Sequence, residues 1–211
     1  MNTHVKEEKK LLRDKYREAR EFLSIEDKLI YDHAINECFI NTIAYKNAEQ
    51  ILLYASLEKE INTSEIFKKS IEDGRKCLFP KCTKLYEMDF YYVSELNQLK
   101  KGIYNITEPI SDELYVSRHF DVCVIPAFTY DASGYRLGYG KGYYDRFLSS
   151  FNGIKVGFCY NSFLEKALPR GKFDIKIDIL ITEKGIIPLQ NLKNNLTKLK
   201  NKTFTYQGKN K

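Results

Sequence analysis

The sequence predicts an α/β fold: a single three-layer domain with a mostly parallel, mixed central sheet covered by helices on both faces. Three observations predict it. Short apolar runs of strand length recur, among them "QILLYAS" (50–56), "DVCVIPAF" (121–128), "IKVGFCY" (154–160) and "IDILIT" (177–182). Helical segments alternate with these runs, and buried strands separated by helices imply a sheet covered on both faces. A chain of 211 residues with 43% hydrophobic content can also bury one sizeable core. The architecture expected over residues 1–188 is therefore Rossmann-like.

The elements follow in order. Residues 4–45 read as helices packing on the sheet. Leu12, Tyr16, Ala19 and Leu23 recur at helical spacing and make one apolar face. Ser24 with Asp27 is a helix-start signal, and Leu29, His33, Ile35 and Cys38–Phe39 follow on a second helix. The run at 50–56 is a buried strand. Thr63 is the expected cap of a helix through Asp73, which Gly74 stops. "KCLFP" and "MDFYYV" read as two more strands, and 121–128 is the most apolar strand of all. A glycine-rich stretch comes next, and "YYDRFLSSF" opens another helix. The strands at 154–160 and 177–182 close the fold. There is no internal repeat and no linker rich in Pro, Gly or Ser.

Charge excludes some functions. The net charge is +6, but residues 189–211 hold six lysines and no acid. Without that tail, 28 basic residues face 28 acidic ones, so the body is neutral. A neutral body argues against a nucleic-acid partner, and the lysine-rich tail is expected to be mobile and solvated. No segment reaches the ~18 consecutive apolar residues of a membrane span, so no membrane partner is expected. "MNTHVKEEKK" lacks the apolar stretch of a signal peptide. Cys38, Cys77, Cys82, Cys123 and Cys159 are odd in number and scattered, as reduced thiols of a cytoplasmic protein would be. Cys77 and Cys82 have no second pair to make a zinc site, and His4, His33 and His119 show no ligand spacing. A monomer is the expected state.

The densest chemistry lies in "GYRLGYGKGYYDRFL" (134–148), between a buried strand and a helix. Open α/β sheets bind ligands at such carboxyl ends of strands. Gly138, Gly140 and Gly142 let backbone N–H groups approach a ligand closely. Arg136 and Lys141 add positive charge, and the following helix presents the positive end of its dipole. A phosphate fits there. The loop is neither a Walker A loop, because Gly142 follows Lys141, nor a G-x-G-x-x-G fingerprint. Asp145, beside bound phosphate, has the chemistry of a magnesium ligand. Taken alone, these residues leave the substrate open. A phosphosugar or CoA-ester enzyme would use the same anion loop.

"PAFTYDASGYRLGYGKGYYDRFL" (126–148) resembles the signature of the 5-formyltetrahydrofolate cyclo-ligases, also called 5,10-methenyltetrahydrofolate synthetases. "KKLLR" (9–13), "LYASLEKEINT" (53–63), "KCLFPK" (76–81), "MDFYYV" (88–93), "NITEP" (105–109) and "FDIKIDILIT" (173–182) are similar to further family segments, in order. The similarity runs over about residues 6–184. Ala127 stands where the family usually has Gly, and Phe173 where it commonly has His.

The resemblance implies an enzyme of one-carbon metabolism. With ATP and magnesium it would close 5-formyltetrahydrofolate, possibly polyglutamylated, into the 5,10-methenyl form, releasing ADP and phosphate. It implies a nucleotide site at Lys9, Lys10, Leu11, Leu12 and Arg13 and along Arg136, Leu137, Gly138, Tyr139, Gly140, Lys141, Gly142, Tyr143 and Tyr144. Lys141, Arg13 and Arg136 are the implied catalytic cations. Asp145 and Asp174 fall on the magnesium positions; Asp178, nearby in sequence, reads better as a strand-start carboxylate. Ala55, Glu60, Tyr139, Gly140, Lys141, Gly142 and Tyr143 fall on substrate positions. Glu60 suits the pterin nitrogens, because a carboxylate accepts hydrogen bonds. Met88, Phe90 and Tyr130 read equally as pocket walls or as core.

Overall fold

The computed structural model describes residues 3–102 and 106–189. Asn105 of the "NITEP" motif and residues 190–211 of the lysine-rich tail lie outside them. Leu189, read above as the first tail residue, belongs to the body: it is buried, and its Cδ1 lies 3.1 Å from where a Cβ on Gly134 would stand.

Three helices open the chain: α1 (Thr3–Glu21), α2 (Ile25–Ile40) and the short α3 (Ile43–Asn47). Ser24 Oγ accepts the Asp27 N–H at 3.0 Å, the cap expected from sequence. The inward face of α2 differs from the expectation. Asp32, Ile35, Asn36 and Phe39 are buried, whereas Leu29 and His33 are exposed. Polar Asp32 goes inward to meet buried Tyr160, and Asn36 to meet the Asn62 carbonyl, while Asn36 Oδ1 is buried without a partner among the described residues.

β1 (Gln50–Leu52) leads through a long loop to α4 (Ser64–Glu72), then to β2 (Lys76–Lys84) and β3 (Glu87–Tyr92). Thr63 does not cap α4 with its side chain: its hydroxyl donates to the Tyr54 carbonyl at 2.9 Å, and Asn62 Oδ1 accepts the Ser64 N–H at 2.8 Å instead. Gly74, at φ 72°, ends the helix as expected. A small hairpin follows, β4 (Leu99–Lys101) with β5 (Thr107–Pro109). Then come β6 (Asp121–Ile125), the two-residue strands β7 (Thr129–Tyr130) and β8 (Arg136–Leu137), α5 (Tyr143–Ser150), β9 (Ile154–Phe158), β10 (Ile179–Thr182) and β11 (Gly185–Ile187).

The central sheet has seven strands in the order β11-β10-β9-β6-β1-β2-β3. Its inner strands are parallel, and antiparallel β11 and β3 close the two edges. Alternate residues of a strand face opposite sides. Phe79 of β2 stacks on Phe67 of α4 at 5.6 Å, whereas Phe90, paired with Pro80 next along, meets Phe147 of α5 at 4.7 Å. α4 and α5 therefore cover opposite faces, giving three layers. The crossover from β1 moves one way along the sheet, to β2, and that from β6 moves the other way, to β9. The carboxyl ends of β1 and β6 thus flank a topological switch point, where such sheets form a ligand crevice.

Candidate active site

The connection after β6 builds one wall of the crevice. Asp131 is fully buried and accepts the N–H groups of Ser133 (2.9 Å), Tyr135 (3.1 Å) and Leu168 (3.0 Å), and Arg170 Nη2 (3.3 Å). It fixes the turn between β7 and β8. Tyr130 is buried beneath, where its ring leaves no room for a side chain at position 157: a Cβ there would lie 2.5 Å from Tyr130 Cζ. The loop then runs from β8 to Gly142, the N-cap of α5. Gly140 (φ 96°) and Gly142 (φ 73°) adopt the left-handed conformation that side chains disfavour. Among the described residues no side chain caps α5, which leaves the N–H groups of its first turn available.

Charged groups meet around this loop from α1, from β8 and α5, and from the 171–175 segment. From α1, Arg13 Nε donates to the Gly138 carbonyl at 2.8 Å, with Nη2 3.0 Å from where a Cβ on Gly140 would stand. One turn earlier, buried Lys9 pairs with Asp174 Oδ2 at 2.5 Å, and the Gly171 N–H donates to the same oxygen at 2.7 Å. From β8, buried Arg136 pairs with Asp145 Oδ1 at 2.7 Å and donates to the Ile175 carbonyl at 3.0 Å. Asp145 Oδ1 also accepts the Ile175 N–H at 3.1 Å. Both carboxylates are thus tied to the 171–175 segment, and each keeps one oxygen without a partner among the described residues. Among the described residues no three His, Cys, Asp or Glu side chains gather as a metal cage. Two hard carboxylate oxygens do suit magnesium, which takes one or two carboxylates and completes its shell with phosphate oxygens and water. Lys141 is exposed, and its side chain has no hydrogen bond or ion pair among the described residues.

The β1–α4 loop forms the facing wall. Glu60 is buried; its Oε2 accepts the Leu57 N–H at 2.8 Å, and its Oε1 accepts the Tyr139 hydroxyl. Burial pushes the Glu60 carboxyl above its usual range, and these two hydrogen bonds oppose the shift. Burial likewise raises the Tyr139 hydroxyl, although the ring is half-exposed at the mouth. The loop is anchored from α2. Asp32 accepts the Asn62 N–H (3.0 Å), the Tyr160 hydroxyl (2.7 Å) and Lys28 Nζ (2.5 Å), while Asn36 Nδ2 donates to the Asn62 carbonyl (2.9 Å). Ala55 lines a cleft of about 220 Å³ with Asn62, Thr63, Phe67 and Phe79.

The remaining sequence-derived residues fall in different places. Lys10 and Leu11 are exposed, and Leu12 packs on the core. Leu137 is core. Tyr143 stands 6.4 Å from Tyr86 beside a second cleft of about 270 Å³ that Met88 also lines. The Tyr144 hydroxyl is buried without a hydrogen-bond partner among the described residues, which is costly unless a ligand supplies one. Phe90 and Tyr130 are fully buried core. Asp178 accepts the Lys155 N–H at 2.9 Å, as a strand-start carboxylate does. Phe173 is 76% exposed and Ala127 is buried. Sequence reasoning missed Arg20 and Asp32; the spacing of Arg20 from Lys9 and Arg13 on one helical face was the available signal for the first.

A doubly wound sheet with a glycine-rich, cation-lined loop and two carboxylates near its switch point is a layout that α/β enzymes use. The sequence profile of the 5-formyltetrahydrofolate cyclo-ligase family matches residues 5–183, and the chain belongs to that family of ligases. A relative from Saccharomyces cerevisiae named 5-formyltetrahydrofolate cyclo-ligase is 27% identical over 205 residues, covering 85% of this chain and 97% of its own. The solved structure of Aquifex aeolicus 5,10-methenyltetrahydrofolate synthetase is similar at TM-score 0.77 and 30% identity, over 87% of this chain and 93% of that one. A synthetase from Mycoplasma pneumoniae shares the fold at TM-score 0.68 and 23% identity, over 83% of this chain and 98% of its own.

Proposed function

We propose that this chain uses ATP and magnesium to convert 5-formyltetrahydrofolate to 5,10-methenyltetrahydrofolate, with release of ADP and phosphate. The observation that carries the proposal is the convergence on one loop, 136–144, of cations from α1 on one side and buried Glu60 on the other. A site for both an anion and a hydrogen-bonding heterocycle needs both walls.

The chemistry suits such a site. A formamide oxygen leaves poorly until it is phosphorylated. The formyl oxygen attacks the γ-phosphorus of ATP, and the bond to the bridging oxygen breaks to release ADP. The lone pair of N10 then adds to the formyl carbon and closes the ring. The carbon–oxygen bond breaks, phosphate leaves with the former formyl oxygen, and the N10 proton passes to solvent. The protein's tasks are alignment and charge stabilisation rather than nucleophilic attack. Loop N–H groups, Arg13 and Lys141 hold the phosphates. Lys141, exposed and unpaired, is free to follow the transferring phosphoryl group. Arg136 acts by holding Asp145. Asp145 and Asp174 hold magnesium, which supplies positive charge along the triphosphate. Glu60 accepts hydrogen bonds from the pterin ring, and Tyr139 and Tyr143 line its path. The five free cysteines accord with a cytoplasmic setting.

The test follows the oxygen. Substrate carrying ¹⁸O in the formyl group should deliver the label to released phosphate. Label left in the folate product or lost to water would contradict the phosphorylation step.

A further inference from the structure

The inward stripe of α1 carries a third cation that no part of the site described so far uses. Lys9, Arg13, Tyr16 and Arg20 follow one another at helical spacing, and Arg20 is 8% exposed. Buried cations are ordinarily paired with a carboxylate. Lys9 has Asp174, but Arg20 has no carboxylate partner among the described residues. Its Nη2 donates to the carbonyls of Ala127 (2.5 Å) and Phe128 (3.4 Å), its guanidinium lies 5.0 Å from the centre of the Phe128 ring and also acts on the Tyr139 hydroxyl, and its Nε has no hydrogen-bond partner among the described residues. The contacts then continue toward the acid. Phe128 stacks on Tyr139 at 4.7 Å, and the Tyr139 hydroxyl donates to Glu60.

We propose that Arg20 is a positioning residue for the substrate-binding acid: its buried guanidinium, without a carboxylate partner among the described residues, holds Glu60 as a carboxylate and keeps the Phe128–Tyr139 stack in place beside it. This rests on the reading of Glu60 as the pterin acceptor. Glu60 is faced by Tyr139 from the loop after β8, by the Leu57 N–H of its own loop and by two cations, Arg20 from α1 and Lys28 from α2. The hydroxyls of Tyr54 and Tyr144 feel its charge as well. Burial favours the neutral acid; the hydrogen bonds from Tyr139 and the Leu57 N–H oppose it most, and the two cations add to them. Lys28 is already matched by Asp32 at 2.5 Å, so Arg20 is the uncompensated positive charge. A carboxylate presents acceptors only, whereas a neutral acid would place a proton against the N–H donors of the pterin.

The test compares wild type with Arg20→Gln and Arg20→Lys. In unliganded protein labelled with ¹³C at glutamate carboxyls, with Glu60→Gln assigning the signal, Glu60 should titrate at higher pH in R20Q and near the wild-type pH in R20K. In turnover at neutral pH, R20Q should raise the folate KM roughly tenfold, the worth of one charge-assisted contact. The gap should narrow as pH rises and re-ionises Glu60, while kcat and the ATP KM stay within about twofold of wild type. R20K should restore the profile. An unmoved Glu60 signal in folded R20Q, or a pH-independent KM defect that lysine does not repair, would overturn the proposal. If R20Q does not fold, R20K decides alone: an upward shift of Glu60 with the charge retained would contradict it. The titration needs no substrate, so a wild-type protein without turnover would refute the folate reading and leave the Arg20 result standing.

Discussion

Replacing Arg136 by methionine tests whether this cation acts through Asp145. The guanidinium is buried, with its side chain 5% exposed, and it bonds both Asp145 and the Ile175 carbonyl. Breaking a fully buried pair from one side costs about 3–5 kcal/mol. The Asp145 side chain is 26% exposed, so water softens its loss, and about 2 kcal/mol is the better figure here. The orphaned Ile175 carbonyl adds about 1 kcal/mol. A total of about 3 kcal/mol should lower Tm by about 6–12 °C in a chain of this size. Asp145 would also lose its orientation, so the magnesium concentration for half-maximal activity should rise. Thermal unfolding of R136M, D145N and the double variant, with a magnesium titration of turnover for each, separates these effects. The double variant should cost at least about 1 kcal/mol less than the sum of the singles, since each single strands the other's partner. Additive losses, or R136M stability within about 0.5 kcal/mol of wild type, would refute the reasoning.

Three further outcomes are expected. Lys141→Ala should lower kcat by about 10²–10³-fold, as loss of one charge-stabilising donor does, with folate KM and Tm nearly unchanged because the side chain is exposed and unpaired; steady-state kinetics and calorimetry check this. Glu60→Gln should raise the folate KM more than about tenfold yet leave the fold as stable or more so. The folded carboxyl is shifted upward, so its ionisation opposes folding: E60Q and wild type should match in acid, and the advantage of E60Q should grow as pH rises through the carboxylate range, read by denaturant unfolding against pH. Gly140→Ala should raise the ATP KM with little change in secondary structure by circular dichroism, because φ 96° costs a side chain about 1–3 kcal/mol and the Cβ would meet Arg13 at 3.0 Å.

The layers and the strand–loop–helix corner at 134–148 were legible in the sequence because their signals are local. An apolar run, then spaced glycines, then a helix start mark a strand, a loop and a helix in that order. The strand ends were less legible. β7, β8 and β11 are too short to show a period of two, and antiparallel β11 pairs only through a tight turn. At the start of α4, Thr63 and Asn62 are both good caps, and only the nearby Tyr54 carbonyl decides that the threonine turns away. The inward face of α2 was misjudged because apolar Leu29 outranks Asp32 on any hydrophobic count. Asp32 is buried because Tyr160 and the Asn62 N–H, both distant in sequence, meet it beside Lys28. The burial of Glu60 against Tyr139 was not legible from the residues themselves, where it is one acid among 28. Arg20 escaped because a cation on a mostly apolar helix face reads as solvated, whereas here that face lies along the 127–138 backbone.

The most direct measurement is the absorbance of methenyltetrahydrofolate formed from 5-formyltetrahydrofolate, with ATP and magnesium together and with each omitted in turn. The account predicts absorbance that grows only when both are present, with one ADP released per product. Absence of product from folded protein that still binds ATP would contradict it, leaving an anion loop that serves some other substrate.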